Sequence, residues 1–256
     1  MIFRRLFFLV ALISWPVFSY DDRSLTDFDA GFDLPPNSLE ASFTHRFYGP
    51  LDTDGLKTVF GLGSGANARI KELYISSFGL LVDANFTTDA RELSFGAGYA
   101  VIPKTFLVNL LAYAQLSSDQ YWDTTINDLS RKGDLYLQMV AQTKPFLFKR
   151  LLLTVALGYD LNENKPGLAT GFEVVIRDNV GIIGELAPVT IKKVDNINFG
   201  NPSYSIGARV STFGHQFIFF VGNATGIGPR KFLYGSGDYH LRLGFEIKRL
   251  FNFGHN

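Results

Sequence analysis

Residues 238–248 read Asp-Tyr-His-Leu-Arg-Leu-Gly-Phe-Glu-Ile-Lys, an unbroken alternation of apolar and polar or small side chains. Period-two alternation belongs to an extended strand, because successive side chains of a strand point to opposite faces. One face would carry Tyr239, Leu241, Leu243, Phe245 and Ile247. The other would carry Asp238, His240, Arg242, Gly244, Glu246 and Lys248. A sheet built from such strands must place one strongly apolar and one strongly ionic surface in different surroundings.

The pattern recurs along the chain, broken by turn signals. It predicts strands at 39–47, 66–74, 79–86, 91–101, 105–116, 134–143, 151–161, 167–176, 179–188, 203–212, 216–223 and 238–250, about twelve in all. No long segment keeps a helical period. Polar or glycine-rich gaps at 48–65, 117–133, 162–166, 189–202 and 224–237 contrast with tight connections at 87–90, 102–105, 177–178 and 213–215, and 144–150 is also short. Long loops at one end and short turns at the other are the rhythm of an up-and-down transmembrane barrel, and an even strand number fits it. The predicted fold class is therefore all-β, an antiparallel up-and-down transmembrane β-barrel of about twelve strands.

A soluble barrel would have the same periodicity with its apolar face inward, so other features decide. The strands run to about ten residues, which suits the tilted crossing of a bilayer. The polar faces carry small residues, among them Gly96, Gly98, Gly158, Gly171, Gly181 and Gly207, which suit a crowded interior. Aromatic residues sit near strand ends, among them Phe43, Tyr48, Tyr74, Phe86, Tyr99, Tyr159, Tyr204, Tyr239 and Phe251, as in the girdles of membrane barrels. Finally, residues 1–19 have the layout of a secretory signal peptide. Arg4 and Arg5 precede an apolar run too short to span a bilayer, and Val17 and Ser19 occupy the positions of a cleavage site. This organisation reads as a signal peptide at 1–19, an acidic and irregular lead-in at 20–38, and a barrel domain at 39–256. The expected location is the outer membrane of a bacterial cell, with membrane lipids as the partner of the apolar face.

With that polarity the lumen would be lined by Glu40, Arg46, Arg69, Lys71, Asp83, Glu92, Asp134, Glu173, Glu185, Arg209, Arg242, Glu246 and Lys248, together with Asp160, Arg177 and Asp238. Both signs are well represented, so a salt-bridged interior that holds the barrel closed is the expected arrangement, because an unpaired buried charge is costly. A lining for a small polar solute is the sharper alternative, and no single sign dominates to set ion selectivity.

The stretches "SLEASFTHRFYGPL", "FGLGSGANARIKELY" and "HQFIFFVGNATGIGPRKFLYGSGDYHLRLGFEIKRLF" resemble a family of bacterial outer-membrane β-barrel proteins of unknown function, of a type common in Bacteroidota-like bacteria. The resemblance rests on His45-Arg46-Phe47, Gly65-Ala66-Asn67, the strand ending near Asn223, and Leu243-Gly244-Phe245 with Arg249 and Phe251. It would extend over most of the mature chain. It implies a fold and a location but no activity.

Other function classes find little support. With 24 basic and 24 acidic residues the formal net charge is zero, so no charge excess points to nucleic acid. There is no cysteine, and hence no thiolate nucleophile, disulfide or Cys-based metal site. The histidines are His45, His215, His240 and His255, and none sits in a recognisable catalytic pattern; Asp238 with His240 is the nearest approach to an acid–base pair. "GLGSG" (61–65) and "TGIGPRK" (225–231) are glycine-rich, but no helix is expected after either, so they read as loops. "DLNENKPG" (160–167) begins like a calcium loop but has Lys165 and Gly171 where Gly and Glu are required. "DTDG" (52–55) reads as a turn. The expected function is a non-enzymatic barrel, structural or a narrow passive channel for small polar solutes, with no cofactor, no metal, no catalytic residue and no protein partner implied. The alternatives are a membrane-embedded lipid hydrolase and a soluble periplasmic barrel that binds an apolar ligand.

Overall fold

The computed structural model describes residues 25–28, 32, 34–54, 65–103, 105–191 and 201–253. The segment read as a signal peptide, most of "GLGSG", and His255 lie outside these residues. Twelve strands follow in chain order: β1 (Ser38–Phe47), β2 (Ala66–Ile75), β3 (Leu80–Thr87), β4 (Leu93–Val101), β5 (Val108–Asp123), β6 (Asp128–Thr143), β7 (Leu151–Asp160), β8 (Lys165–Arg177), β9 (Val180–Val189), β10 (Ser203–Thr212), β11 (His215–Gly222) and β12 (Arg242–Asn252). Each pairs antiparallel with its sequence neighbours, and β1 pairs with β12, from Ser38 opposite Asn252 to Arg46 opposite Gly244, to close the barrel. Two short helices, α1 (Leu51–Asp54) and α2 (Pro229–Leu233), lie in the β1–β2 and β11–β12 connections.

The polarity of the wall is inverted relative to a soluble protein. In β1, Ser38, Glu40, Ser42, Thr44 and Arg46 are buried, whereas Leu39, Ala41, Phe43, His45 and Phe47 face outward. In β7 the outward residues are Leu151, Leu153, Val155, Leu157 and Tyr159, and Thr154, Gly158 and Asp160 point in. Phe95, Leu116, Met139, Leu157 and Phe219 are all more than half exposed on the outer face. Leaving such a side chain in water forgoes about 1.5–3 kcal/mol relative to an apolar medium. An outer wall of this kind is stable against hydrocarbon, where the interstrand hydrogen bonds of a closed sheet leave no edge to satisfy. The arrangement expected of a soluble barrel, with its apolar face inward, is not the one found.

Several sequence boundaries shift. The polar stretch 117–133, expected to be a loop, is mostly strand: β5 and β6 are 16 residues each and pair to Asp123 opposite Asp128. Their neighbours stop earlier, β4 at Ser118 and β7 at Tyr136, so this ribbon stands clear of the wall. The connection at 87–90 is short but lies at the long-loop end, where a 3-10 turn spans Asp89–Arg91. β12 begins at Arg242 and not at Asp238, because Asp238 turns back to grip the Arg242 guanidinium with both carboxylate oxygens, at 2.7 Å each. Arg177 does not line the lumen. It is exposed beyond a register shift that follows Val175.

The interior is also less uniformly polar than expected. Leu73, Leu81, Leu111, Val140, Ile183, Ile218 and Phe220 point inward and form one cluster with Leu25, Phe28, Phe232 and Leu233. The last four belong to two segments inserted into the barrel, so much of the lumen is packed with protein. Inward glycines make room for this packing. A Cβ at Gly96 would collide with Tyr113, one at Gly158 with Tyr136, and one at Gly171 with Leu25.

Candidate functional site

The barrel interior holds most of the ionisable groups that lie off the solvent surface. Glu40, Arg46, Arg69, Lys71, Asp83, Glu92, Glu173, Glu185, Arg209, Arg242, Glu246 and Lys248 are all buried, as is the side chain of Asp134. Two of the ion pairs share a design. Arg209 on β10 reaches Glu173 on β8, with Nε to Oε1 at 2.8 Å, across β9. The strand between them carries Gly181 at that level, where a Cβ would overlap the Glu173 carboxylate and crowd the Arg209 guanidinium. Likewise Arg69 on β2 meets Glu246 on β12 at 3.5 Å across β1, where Thr44 is small and donates its hydroxyl to the same carboxylate at 2.9 Å. Lys248 faces Glu40 on the neighbouring strand at 3.7 Å. Desolvation makes each such group expensive alone, and pairing offsets that cost.

The N-terminal segment enters this lattice. Leu25, Thr26, Asp27 and Phe28 are at most 2% exposed. The Asp27 carboxylate pairs with Arg46 of β1 and accepts the Gly228 amide at 2.8 Å, and the Asp27 amide donates to Glu185 of β9 at 2.9 Å. Asp27 thus ties β1 and β9, which are not adjacent in the barrel, to each other and to the β11–β12 loop. That loop is the second inserted element. Its α2 begins at Pro229, a favourable first helical residue, so a five-residue helix does follow "TGIG", contrary to the expectation from sequence. Phe232 and Leu233 are fully buried, and Phe28 meets Phe232 edge-on at 5.5 Å between centroids.

The two cations at the head of α2 face acids on the wall. Arg230 bonds the Ser117 hydroxyl, pairs with Asp119 at 2.6 Å and Asp134 at 3.4 Å, and lies 3.7 Å from Asp160. Lys231 lies 3.0 Å from Asp119 and 3.3 Å from Glu92. Sequence reading missed Asp27, Asp119, Arg230 and Lys231, having assigned all four to the lead-in or loops. One signal was available, since Phe232 and Leu233 within a nominally solvated loop have no reason to be apolar.

The lumen is not completely filled. A cavity of about 30 Å³, room for about two water molecules, lies between the β2–β6 wall and the inserted loop, with Asp83, Asn85, Ser94, Tyr113 and Gln138 along it. A larger vestibule of about 300 Å³ opens at the long-loop end, beside Asp89, Tyr121, Lys132 and Glu163. Both spaces are bounded by Arg230 and Lys231.

The histidines do not assemble a catalytic centre among the described residues. His45 lies on the outer face between Phe43, Phe47 and Phe245. His215 faces Arg249 at 2.7 Å beside the β10–β11 turn. His240 and Asp238 are not an acid–base pair: Asp238 holds Arg242, and the His240 ring lies 2.9 Å from Asp52 of α1. "DLNENKPG" is a turn in which the Asp160 carboxylate accepts the amides of Asn162 and Glu163, both at 3.0 Å.

The His240–Asp52 contact latches the β1–β2 loop to the β11–β12 loop, beside the Leu51 amide donating to the Leu241 carbonyl at 2.7 Å. Asp52 raises the His240 pKa above 6.5, chiefly through their hydrogen bond, and that bond lowers the Asp52 carboxyl below 3.8. The latch is therefore fully formed below the ordinary histidine range and above the ordinary aspartate range. It is lost as pH rises through the raised His240 pKa. Hydrogen exchange at the Leu51 amide, corrected for its intrinsic pH dependence, should accelerate as the pH rises above the ordinary histidine range and through the raised His240 pKa. The change should disappear in His240→Gln.

A closed, antiparallel, twelve-stranded barrel with apolar residues outside and ion pairs inside is a membrane-bound β-barrel of porin-like architecture. Residues 150–251 match a family described as "Membrane bound beta barrel domain (DUF5777)". This match includes the third of the stretches on which the sequence resemblance rests but not the first two. No curated protein matches the chain in sequence. Among solved structures the barrel is similar to the KdgM porin, at 10% identity and TM-score 0.54, covering 84% of this chain and 99% of that one. An outer membrane channel from Pseudomonas putida F1 is similar at 11% identity and TM-score 0.51, covering 90% and 99%. The NanC porin is similar at 9% identity and TM-score 0.50, covering 83% and 98%.

Proposed function

We propose that this chain is a non-enzymatic protein of the bacterial outer membrane, and that its barrel is a narrow passive channel for small polar solutes. The observation that carries this reading is the interior. A polar, ion-paired lumen is obstructed by the N-terminal segment and the β11–β12 loop, yet it retains a cavity of about 30 Å³ beneath a vestibule of about 300 Å³. Spaces of that size suit water and small solutes better than large ones. The signal-peptide layout of residues 1–19 and the porin-like architecture support the outer membrane as the location. The long-loop end would face outward and the short turns the periplasm. Membrane lipids are the partner of the wall.

Reconstitution in a planar bilayer tests the reading. The expected result is a small, steady conductance, well below that of an unobstructed barrel of twelve strands. Silence at all potentials would favour a purely structural barrel, held shut by its ion pairs. Lipid hydrolysis that is abolished by His215→Gln or His240→Gln would overturn the non-enzymatic assignment.

A further inference from the structure

The vestibule and the inner cavity meet at the head of α2, and its two cations differ in how firmly they are held. The Arg230 guanidinium is fixed from several directions, by Ser117, Asp119, Asp134 and Asp160, and stacks 5.2 Å from the Tyr234 ring; its side chain is 4% exposed. Phe232 and Leu233 anchor the helix in the apolar cluster. The backbone of α2 is therefore pinned. Lys231 is held differently. Its ammonium rests on the two carboxylates of Asp119 and Glu92 and lies 5.7 Å from the Tyr234 ring centroid, without a hydroxyl partner such as Ser117 among the described residues; its side chain is 14% exposed, and it borders both spaces. An ammonium on a four-carbon stem is a point charge without the fixed fork of arginine, and it can leave its partners by rotation about side-chain bonds alone.

We propose that Lys231 is a side-chain gate: with its ammonium on Glu92 and Asp119 it separates vestibule from inner cavity, and when it swings toward the vestibule the two become one passage. Because Arg230 remains paired with Asp119, the group uncovered by the movement is the Glu92 carboxylate. The opened constriction has one positive charge fewer beside the Glu92 and Asp119 carboxyls, so the passage favours small cations over anions. This rests on the channel reading for its role in transport, but the gate itself is a property of the two cavities.

Two measurements separate these levels. The chain has no cysteine, so Gln138→Cys, buried beside the inner cavity, gives a single thiol for a water-soluble reagent. Adding Lys231→Ala should raise the labelling rate severalfold in folded protein, with folding verified by heat-dependent gel mobility. Lys231→Arg should leave the rate near that of the Lys231 background, because the ion pairs are kept. Lys132→Ala, in the vestibule, should also leave it unchanged. A labelling rate unaffected by Lys231→Ala overturns the gate. In planar bilayers, Lys231→Ala should increase conductance severalfold and move the reversal potential toward cation preference. An unchanged conductance and reversal potential in a conducting barrel likewise overturn the gate. Accelerated labelling without any conductance keeps the gate and overturns the through-channel.

Discussion

Replacing Arg209 with alanine should destabilise the barrel by about 3–5 kcal/mol, the range found when one member of a buried ion pair is removed. Arg209 is 1% exposed and Glu173 2%, and the guanidinium also donates to Ser211 at 2.5 Å. The substitution leaves the Glu173 carboxylate buried without its cation. Removing both charges is a different perturbation. Glu173→Met combined with Arg209→Met exchanges the pair for apolar side chains of similar length, and buried pairs exchanged in this way are often close to neutral. The heat-resistant gel band of the folded barrel should therefore be lost at a much lower temperature in Arg209→Ala than in the double variant. If the two variants were equally labile, the bulk of the arginine side chain, and not its charge, would be what the wall requires.

Val155→Arg tests the opposite face. Val155 lies at the middle of β7, 43% exposed, with Leu153 and Leu157 on the same outward row. An arginine near the bilayer midplane costs about 2–4 kcal/mol in a transmembrane barrel, and the cost falls toward the interfaces. Folding into lipid vesicles followed by urea titration should show that loss. Ile126→Arg is the matched control. Ile126 is 61% exposed at the tip of the β5–β6 ribbon, beyond the last pairing with β4 and β7, where a surface substitution stays within about 0.5 kcal/mol. Equal, small effects at both positions would mean that the wall does not meet hydrocarbon.

The outcome at 117–133 explains where the alternation signal runs out. Within the bilayer a strand must be apolar on the lipid face, so period two is enforced and legible, as in Leu151–Asp160. Toward the tip of the β5–β6 ribbon both faces meet water, and "TTINDLSRKG" carries polar residues on each, so the same strands lose their signature. A similar limit applied at Asp238–Leu241, where the pattern continues but the backbone leaves the sheet to let Asp238 hold Arg242.

What the sequence alone determined is which face of each strand is ionic, roughly how many strands there are and, through strand length, small residues on the polar faces and aromatic strand ends, on which side the charges belong. These follow from a period and from the two solvents a membrane barrel must satisfy, and they are local. The partners of those charges were decided only in three dimensions. Glu173 and Arg209 are 36 residues apart, and Arg69 and Glu246 are 177 apart, so only barrel closure brings them together. The filling of the lumen was likewise beyond local reading. Leu25–Phe28 and Pro229–Leu233 have no periodicity of their own, and they became interior because a barrel of this width leaves space that apolar side chains occupy more favourably than water.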